Sequence, residues 1–384
     1  MKNELSLPNS WQMKTLGDLF EITSSKRVFK EDWKTEGVPF YRAREIVKLA
    51  ENGFVNNELF ISEEMFKEYS EKYGLPKEDD IMVTGVGTLG ICYVVKSDDR
   101  FYFKDGNIIW LKSNGKANSR YVEYAFKSDF LRKQIDDSVG ATVGTYTIIK
   151  AKSTKIPLPP LPEQQRIVSI LDEAFAAIAK AKANAEQNLK NAKELFESYL
   201  QGVFEKKGDG WKEQLLEDCF KMKSGDNLTA KNMTEGEYPV FGGNGIAGYH
   251  NEYNLSGSNV IIGRVGALCG NVRHITEKIW LTDNAFKVVD FKFDFDHSFL
   301  TYLLNYKDLR SYARQAAQPV ISNSSLKDVV LNFPKSIETQ KTIVRQLDAL
   351  RAETQKLELL YQKKMVDLEE LRKSVLQKAF NGEL

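Results

Sequence analysis

Ser10-Trp11-Gln12-Met13-Lys14-Thr15-Leu16-Gly17-Asp18-Leu19-Phe20 returns two hundred residues later as Gly210-Trp211-Lys212-Glu213-Gln214-Leu215-Leu216-Glu217-Asp218-Cys219-Phe220. Trp, Leu, Asp and Phe recur in step, so the chain holds an internal duplication, which decides the architecture before any local reading does. A second match closes each half at a shift of 176. It pairs Ile167, Leu171, Asp172, Glu194, Ser198, Leu200 and Phe204 with Ile343, Leu347, Asp348, Glu370, Ser374, Leu376 and Phe380. The shift falls from 200 to 176, so the first globular half carries 24 more residues than the second.

Between these markers, short runs rich in Val, Ile, Tyr and Phe alternate with Gly- and Asn-rich turns. Ile81-Met82-Val83-Thr84 and Ile108-Ile109-Trp110-Leu111 are examples from the first half, Val260-Ile261-Ile262 and Phe286-Lys287-Val288-Val289 from the second. They predict a mixed, mostly antiparallel β domain in each half. Ser62 followed by Glu63-Glu64 predicts a capped helix over 62–73.

Each half ends in a long periodic segment. Pro157-Leu158-Pro159-Pro160-Leu161-Pro162 forbids helix before it and leaves Glu163 near a helix start. Apolar positions then step by four and three through Ile167, Leu171, Ala174, Ile178, Ala181, Ala185, Ala192, Leu195 and Tyr199. The later segment steps in the same phase through Ile343, Leu347, Leu350, Leu357, Tyr361, Leu368, Leu371 and Val375. Both read as coiled-coil seams. Each falters once, at Asn188 and at Lys364: one reading is a buried polar device that fixes register, and the expected one is a drift of the seam onto Leu189 and Met365. Chain order makes the two helices antiparallel if the intervening domain is compact. The expected fold class is therefore α+β: two mixed β-rich domains (1–160 and 208–334) alternating with two long helices (161–207 and 335–384) that form an antiparallel coiled coil with approximate two-fold symmetry. At about 1.5 Å per residue, roughly 40 helical residues span on the order of 60 Å, a little under two turns of B-DNA at about 34–36 Å each.

Composition narrows the function. Of the residues 42% are hydrophobic and 28% charged, the balance of a soluble folded protein. No apolar run reaches the roughly 18 residues of a membrane span, and Met1-Lys2-Asn3-Glu4-Leu5 does not open a signal peptide, so a cytoplasmic location is expected. The net charge is +1, with no polybasic segment, so nucleic acid would be held by local patches or with a partner's cations rather than by bulk charge. Cys92, Cys219 and Cys269 are scattered, which argues against disulfides and zinc ribbons.

Several motifs resemble those of one family, the specificity subunits of type I restriction-modification systems. They are Gly37-Val38-Pro39-Phe40-Tyr41-Arg42-Ala43-Arg44-Glu45-Ile46, then Asp80 to Gly90, then Pro157 to Val168 with its proline run, and in the second half Tyr238 to Tyr249 and Gly263 to Gly270. The second copy departs from the pattern at Phe333-Pro334-Lys335-Ser336-Ile337-Glu338, where the full proline run is missing. The resemblance implies two target-recognition domains on two helical regions, and a subunit without catalysis of its own. It implies recognition of a bipartite double-stranded DNA site. It also implies two modification subunits that bind S-adenosylmethionine and methylate adenine, and restriction subunits that use ATP and magnesium. No cofactor is expected in this chain.

Base edges and phosphates are met by Arg, Lys, Asn, Gln, Ser and Thr on exposed loops. The loop candidates are Lys26, Arg27, Arg42, Arg44, Thr84, Thr88, Tyr146 and Thr147 in the first half, and Lys223, Asn227, Asn244, Arg264, Asn271, Asn323 and Ser324 in the second. Gly85-Val86-Gly87-Thr88-Leu89-Gly90 fits GxGxxG, but the β-branched run after it predicts a strand where a dinucleotide site needs a helix. His250, Cys269, His274 and His297 match no common metal-ligand spacing, so no metal is expected. The acidic pairs Asp79-Asp80, Asp98-Asp99 and Asp136-Asp137 sit at turns and read as solvated carboxylates rather than acid-base dyads. A coiled-coil scaffold that never touches DNA is the alternative from another class, and a cryptic enzyme the third.

Overall fold

The computed structural model describes residues 7–136, 144–206, 208, 210–314 and 318–384; Met1–Leu5 and Asp137, both invoked above, lie outside them. The chain divides into two compact units, 1–184 with 364–384, and 185–363, so each long helix contributes one portion to each unit.

Among the described residues the first unit holds nine strands. They are β1 (Gln12–Thr15), β2 (Glu21–Thr23), β3 (Val38–Tyr41), β4 (Phe60–Ile61), β5 (Ile81–Thr84), β6 (Cys92–Val94), β7 (Tyr102–Phe103), β8 (Ile108–Lys112) and β9 (Lys155–Leu158). The second unit holds another nine. They are β10 (Trp211–Leu215), β11 (Lys221–Ser224), β12 (Tyr238–Gly242), β13 (Gly245–His250), β14 (Asn259–Gly263), β15 (Val272–Ile275), β16 (Trp280–Leu281), β17 (Ala285–Val289) and β18 (Val330–Pro334). The pairings are identical once nine is added to each label. The four-stranded sheets run β2-β8-β5-β6 and β11-β17-β14-β15, and the three-stranded ones β4-β3-β7 and β13-β12-β16. The two-stranded ones are β1-β9 and β10-β18. In each unit the only parallel pair among the described residues is the equivalent one, β3 with β7 and β12 with β16.

The 24-residue surplus has a location. Where β12 and β13 form a tight hairpin, β3 and β4 are separated by the helix Ala43–Asn52, and the helix Glu63–Tyr73 follows β4. Ser62 caps the latter, its side chain accepting the Met65 N–H at 3.2 Å, as its sequence predicts.

The first long helix is Leu161–Glu205 and the second Ile337–Asn381. The missing proline run of the second copy is replaced by a cap, the Ser336 hydroxyl accepting the Thr339 N–H at 3.3 Å. In the first unit the helices meet antiparallel: Arg166 reaches the Leu384 carbonyl at 2.6 Å, and Lys182 meets Glu369 at 2.6 Å. In the second unit they do the same, the Tyr199 hydroxyl donating to Gln346 Oε1 at 3.3 Å. Ile167, Leu171, Ile178 and Leu347 are buried seam residues, and Ile343, Leu368 and Val375 are half-buried.

Four seam assignments need correction. Leu195, Tyr199, Leu357 and Leu371 are exposed. Phe196, half-buried, and Leu200, buried, take the place of the first two; the buried Thr354 and Leu376 lie near the others. A 3.6-residue helix drifts about 20° per heptad against a strict 3.5 repeat, so the buried stripe slides to the neighbouring residue. At the two faltering points the slide is as expected, with Asn188 and Lys364 exposed and Leu189 and Met365 half-buried.

Each sheet domain packs its core onto its own helix portions. Ile167, Leu171, Leu376, Ala379 and Phe380 share one core with Trp11, Ile81, Leu111 and Tyr121. Leu200, Phe204 and Leu347 share another with Phe220, Ile262 and Phe299. Among the described residues no helix is long and apolar enough to cross a membrane.

Candidate nucleic-acid interface

Strand register gathers the candidate loops of the first unit at one end of its four-stranded sheet. Thr23 pairs with Trp110 and Thr84 with Ile108, so the end of β2, the end of β5 and the start of β8 lie together. The β5–β6 hairpin loop is fastened there: the Gly85 N–H donates to the Asn107 carbonyl at 2.8 Å, and the Tyr146 N–H donates to the Gly85 carbonyl at 2.9 Å. The GxGxxG stretch is this hairpin loop, followed by strand β6.

Within that end, Lys26, Arg27, Thr88 and Thr147 are exposed. Lys26 lies over the Tyr73 ring, Arg27 pairs with Asp105 at 3.0 Å, and Thr147 caps the helix Ile148–Ser153. Two candidates must be withdrawn as direct contacts. Thr84 is wholly buried, its hydroxyl accepting the Ile91 N–H at 3.0 Å and donating to the Thr88 carbonyl. Tyr146 is 2% exposed, with its hydroxyl 2.7 Å from that of Thr154. Both hold the hairpin from beneath, a role invisible in sequence because Thr and Tyr serve equally as loop donors and core hydrogen-bonders.

Arg42 and Arg44 converge on the buried Glu45. Arg42 Nη2 meets its carboxylate at 2.9 Å and Arg44 Nε at 2.6 Å, and Arg44 also pairs with Glu58. The Arg42 N–H donates to the same carboxylate at 2.9 Å, fixing the start of the helix Ala43–Asn52. Burial pushes the Glu45 carboxyl upward, but the hydrogen bonds from Arg42 and Arg44 outweigh it and hold the group below its ordinary range. A lowered folded value means that stabilisation is present above the ordinary carboxylate range and is lost as pH falls through the depressed value. Acid that carries the pH down through this depressed value should therefore loosen this helix. Hydrogen exchange of its amides should show that acid limb, and Glu45→Gln should flatten it.

The second unit repeats the fastening with different side chains. Arg264 stands where Gly85 stands: its N–H donates to the Asn284 carbonyl at 2.9 Å, and the Ile321 N–H donates to its carbonyl at 2.9 Å. A Cβ at Gly85 would sit 2.8 Å from the Tyr146 carbonyl oxygen, so the first unit leaves no room there for the side chain that the second displays. The Arg264 guanidinium lies over the Phe286 ring at 5.2 Å, with only long contacts of 3.4 Å to Ser224 and the Asp283 carbonyl, and its Nε has no hydrogen-bond partner.

Beside it a groove of about 470 Å³ is lined by Asn227, Asn244, Asn284, Gln318, Thr229 and Asp283 among others. Asn227 and Asn244 are thereby brought together, while Asn244 Oδ1 also accepts the Leu268 N–H at 2.9 Å. Asn271 is exposed at the start of β15 and accepts from Arg273 Nε at 3.1 Å. Lys223, Asn323 and Ser324 are exposed but do not line the groove; Asn323 instead reaches the Met222 carbonyl at 3.4 Å.

Sequence reasoning missed Asn284 and Gln318. The signal for the first was slight, a single Asn shared between Asp105-Gly106-Asn107 and Thr282-Asp283-Asn284, the turns that feed the strand entering each sheet centre. His274 and His297 share the Ser258 hydroxyl at 2.8 Å each, and His250 bonds Thr234 instead. Among the described residues no three of His, Cys, Asp or Glu are grouped to hold a metal. The cysteines are buried and free; burial pushes the Cys219 thiol up to about 11, which suits packing rather than nucleophilic chemistry.

The two sheet domains share one framework and differ in the side chains at one polar loop end. The chain belongs to the family of the type I restriction modification DNA specificity domain, whose model matches residues 8–190 and 208–362. It is 33% identical over 204 residues to the EcoprrI specificity subunit of Escherichia coli, half of each chain, and 32% identical over 160 residues to a putative specificity subunit of Haemophilus influenzae, 41% of this chain and 38% of that one. The match thus spans half or less of these two relatives. The putative MjaX specificity subunit of Methanocaldococcus jannaschii is matched over 98% of this chain and 94% of its own, at 22% identity. In fold the chain resembles the HsdS subunit of Thermoanaerobacter tengcongensis, with a TM-score of 0.69 at 19% identity over 98% of both chains. A chain from a type I restriction-modification assembly scores 0.76, at 19% identity over 99% of this chain and all of the other.

Proposed function

We propose that this chain is the DNA-specificity subunit of a type I restriction-modification complex, each sheet domain binding one half of a bipartite asymmetric site while the helices set the spacer. The observation that carries it is the equivalent position occupied by Gly85 in one unit and Arg264 in the other, on otherwise matching loops. An arginine whose Nη1 makes only long hydrogen bonds, beside an amide-lined groove, suits guanine and adenine edges. The chain itself is non-catalytic in this reading and works in the cytoplasm. Two modification subunits carry S-adenosylmethionine and methylate adenine, and restriction subunits carry ATP and magnesium. With a net charge of +1, much of the phosphate contact falls to those partners.

Methylome sequencing of a strain with and without the gene tests this directly, a single bipartite motif being expected to vanish with it. Arg264→Ala should relax one half-site only, weakening discrimination there by about 10- to 100-fold, the range of one bidentate base contact of about 1–3 kcal/mol. Unchanged methylation in both experiments would leave the scaffold reading standing.

A further inference from the structure

The 176-residue correspondence between the two long helices shows a systematic mismatch. Where the first helix has Ala174, Ala185 and Ala192, the second has Leu350, Tyr361 and Leu368. Where the first has Lys182 and Lys193, the second has Glu358 and Glu369; where the first has Phe175 and Phe196, the second has Arg351 and Arg372. The contacts within each unit use these differences. In the first unit Lys182 meets Glu369 at 2.6 Å and Arg372 lies over Phe175 at 5.1 Å. In the second, Arg351 lies over Phe196 at 5.6 Å, again an arginine of the second helix on a phenylalanine of the first.

We infer that the helices carry a non-self pairing code: the first helix is built to accept the second and to reject another copy of itself, and the second likewise. Glu369 is the counterpart of Lys193, so two first helices laid in this register would set Lys182 against Lys193 and Phe175 against Phe196, with alanine facing alanine along the seam. Two second helices would set Glu358 against Glu369, Arg351 against Arg372 and large side chains against one another. Like charges and mismatched volumes penalise both self-pairs, while the mixed pair gains ion pairing and cation-π contact. A self-paired assembly would carry two equal domains, a mixed one always carries one of each. That the mixed form keeps the DNA site asymmetric rests on the function proposed above; the tests below contain no DNA, so they can fail without that reading failing.

In the intact chain, Lys182→Glu should lower the melting midpoint by about 2 °C, and adding Glu369→Lys should restore most of it. Absence of recovery overturns the code. A protease site inserted after Lys206 allows the folded full-length protein to be cut and its two pieces followed by native mass spectrometry. Only the one-to-one complex is expected from the unmodified sequence; self-pairs forming as readily would overturn the inference. Lys193→Glu with Phe196→Arg gives the first helix both members of each pair, and self-pairs of the N-terminal piece should then rise by about tenfold. Their failure to rise also overturns it, and if the cut pieces precipitate, the intact-chain cycle decides alone.

Discussion

A chain ending at Lys363 is expected to lose the fold of its first unit and to keep that of its second. Residues 364–384 belong to the first unit although the rest of it lies far upstream. Phe380 is 2% exposed, its ring 5.2 Å from that of the buried Tyr121, and Ala379 and Leu376 join the same core. Deleting one buried Phe side chain typically costs about 3–5 kcal/mol, and a whole domain is stable by only about 5–15 kcal/mol. Removing all three, together with the helix portion that carries them, causes a loss comparable to that whole margin. The core of the second unit draws on residues 200–347, all retained. Hydrogen exchange should therefore show β5 and β8 unprotected while β14 and β17 stay protected. Full protection of both sheets in the truncated protein would refute this account, and Phe380→Ala in the full chain offers a milder version, a loss of about 3–5 kcal/mol confined to the first unit.

The truncation argument rests on features legible in the sequence. The recurring Trp11 and Trp211 segments mark where each domain begins, and the matched helix ends place Phe204 and Phe380 as counterparts. The structure gives each the same task, burial in the core of a sheet domain. The surplus length was countable, but only one of the two helices that fill it had a visible signal. Ser62 with two following glutamates is a capping pattern, whereas Arg42 before Ala43 is not; that helix start is fixed by the Glu45 side chain returning to the Arg42 N–H. The seam was legible in period but not in phase, because a choice between Leu195 and Phe196, or Tyr199 and Leu200, depends on helix drift that one-residue patterns do not record.

The site was legible at the level of loops and much less at the level of side chains. Loops at one sheet end follow from strand order, and there Asn227 lines the groove while Arg264 lies half-buried beside it. Arg42, Arg44, Thr84 and Tyr146 were chosen by residue type alone, and each is engaged by a partner that residue type could not disclose. Arg42 illustrates the consequence for experiment. Removing its side chain would take one of two guanidinium partners from a buried carboxylate, so a defect in Arg42→Ala would report the Glu45 cluster as readily as any DNA contact. Arg264→Ala is the sharper probe because its guanidinium has only long contacts within the chain.

The other large effect is expected at a pair of glutamines. Gln340 is wholly buried at the start of the second long helix; its Oε1 accepts the Asp296 N–H at 2.8 Å, and its Nε2 donates to the carbonyls of Pro334 and Asp294 at 2.9 and 3.2 Å. Its counterpart Gln164, 1% exposed, accepts the Asn118 N–H at 2.8 Å and donates to the Pro159 carbonyl at 2.8 Å. Asp296 and Asn118 are themselves the N-caps of His297–Tyr306 and Ser119–Lys127, so each glutamine ties its long helix to the capping residue of the helix packed beside it. Gln340→Leu keeps the volume but leaves a backbone N–H and two carbonyls in the interior without it. At about 1–3 kcal/mol for each of the three unsatisfied buried groups, a loss of about 3 kcal/mol or more is expected in the second unit, with Gln164→Leu acting alike on the first and, sharing no partner with it, adding to it. Gln340→Glu separates the hydrogen-bonding account from simple packing. The introduced carboxyl can still accept from Asp296, but when ionised it faces two carbonyl oxygens to which it cannot donate. Burial and those oxygens raise its folded value, so the variant should be weakest at neutral pH and regain stability as pH falls through that raised value and the group recovers a proton to donate. A denaturation series from pH 8 to pH 5 that showed Gln340→Glu insensitive to pH, or as stable as the unmodified chain at neutrality, would show that the glutamine merely fills space.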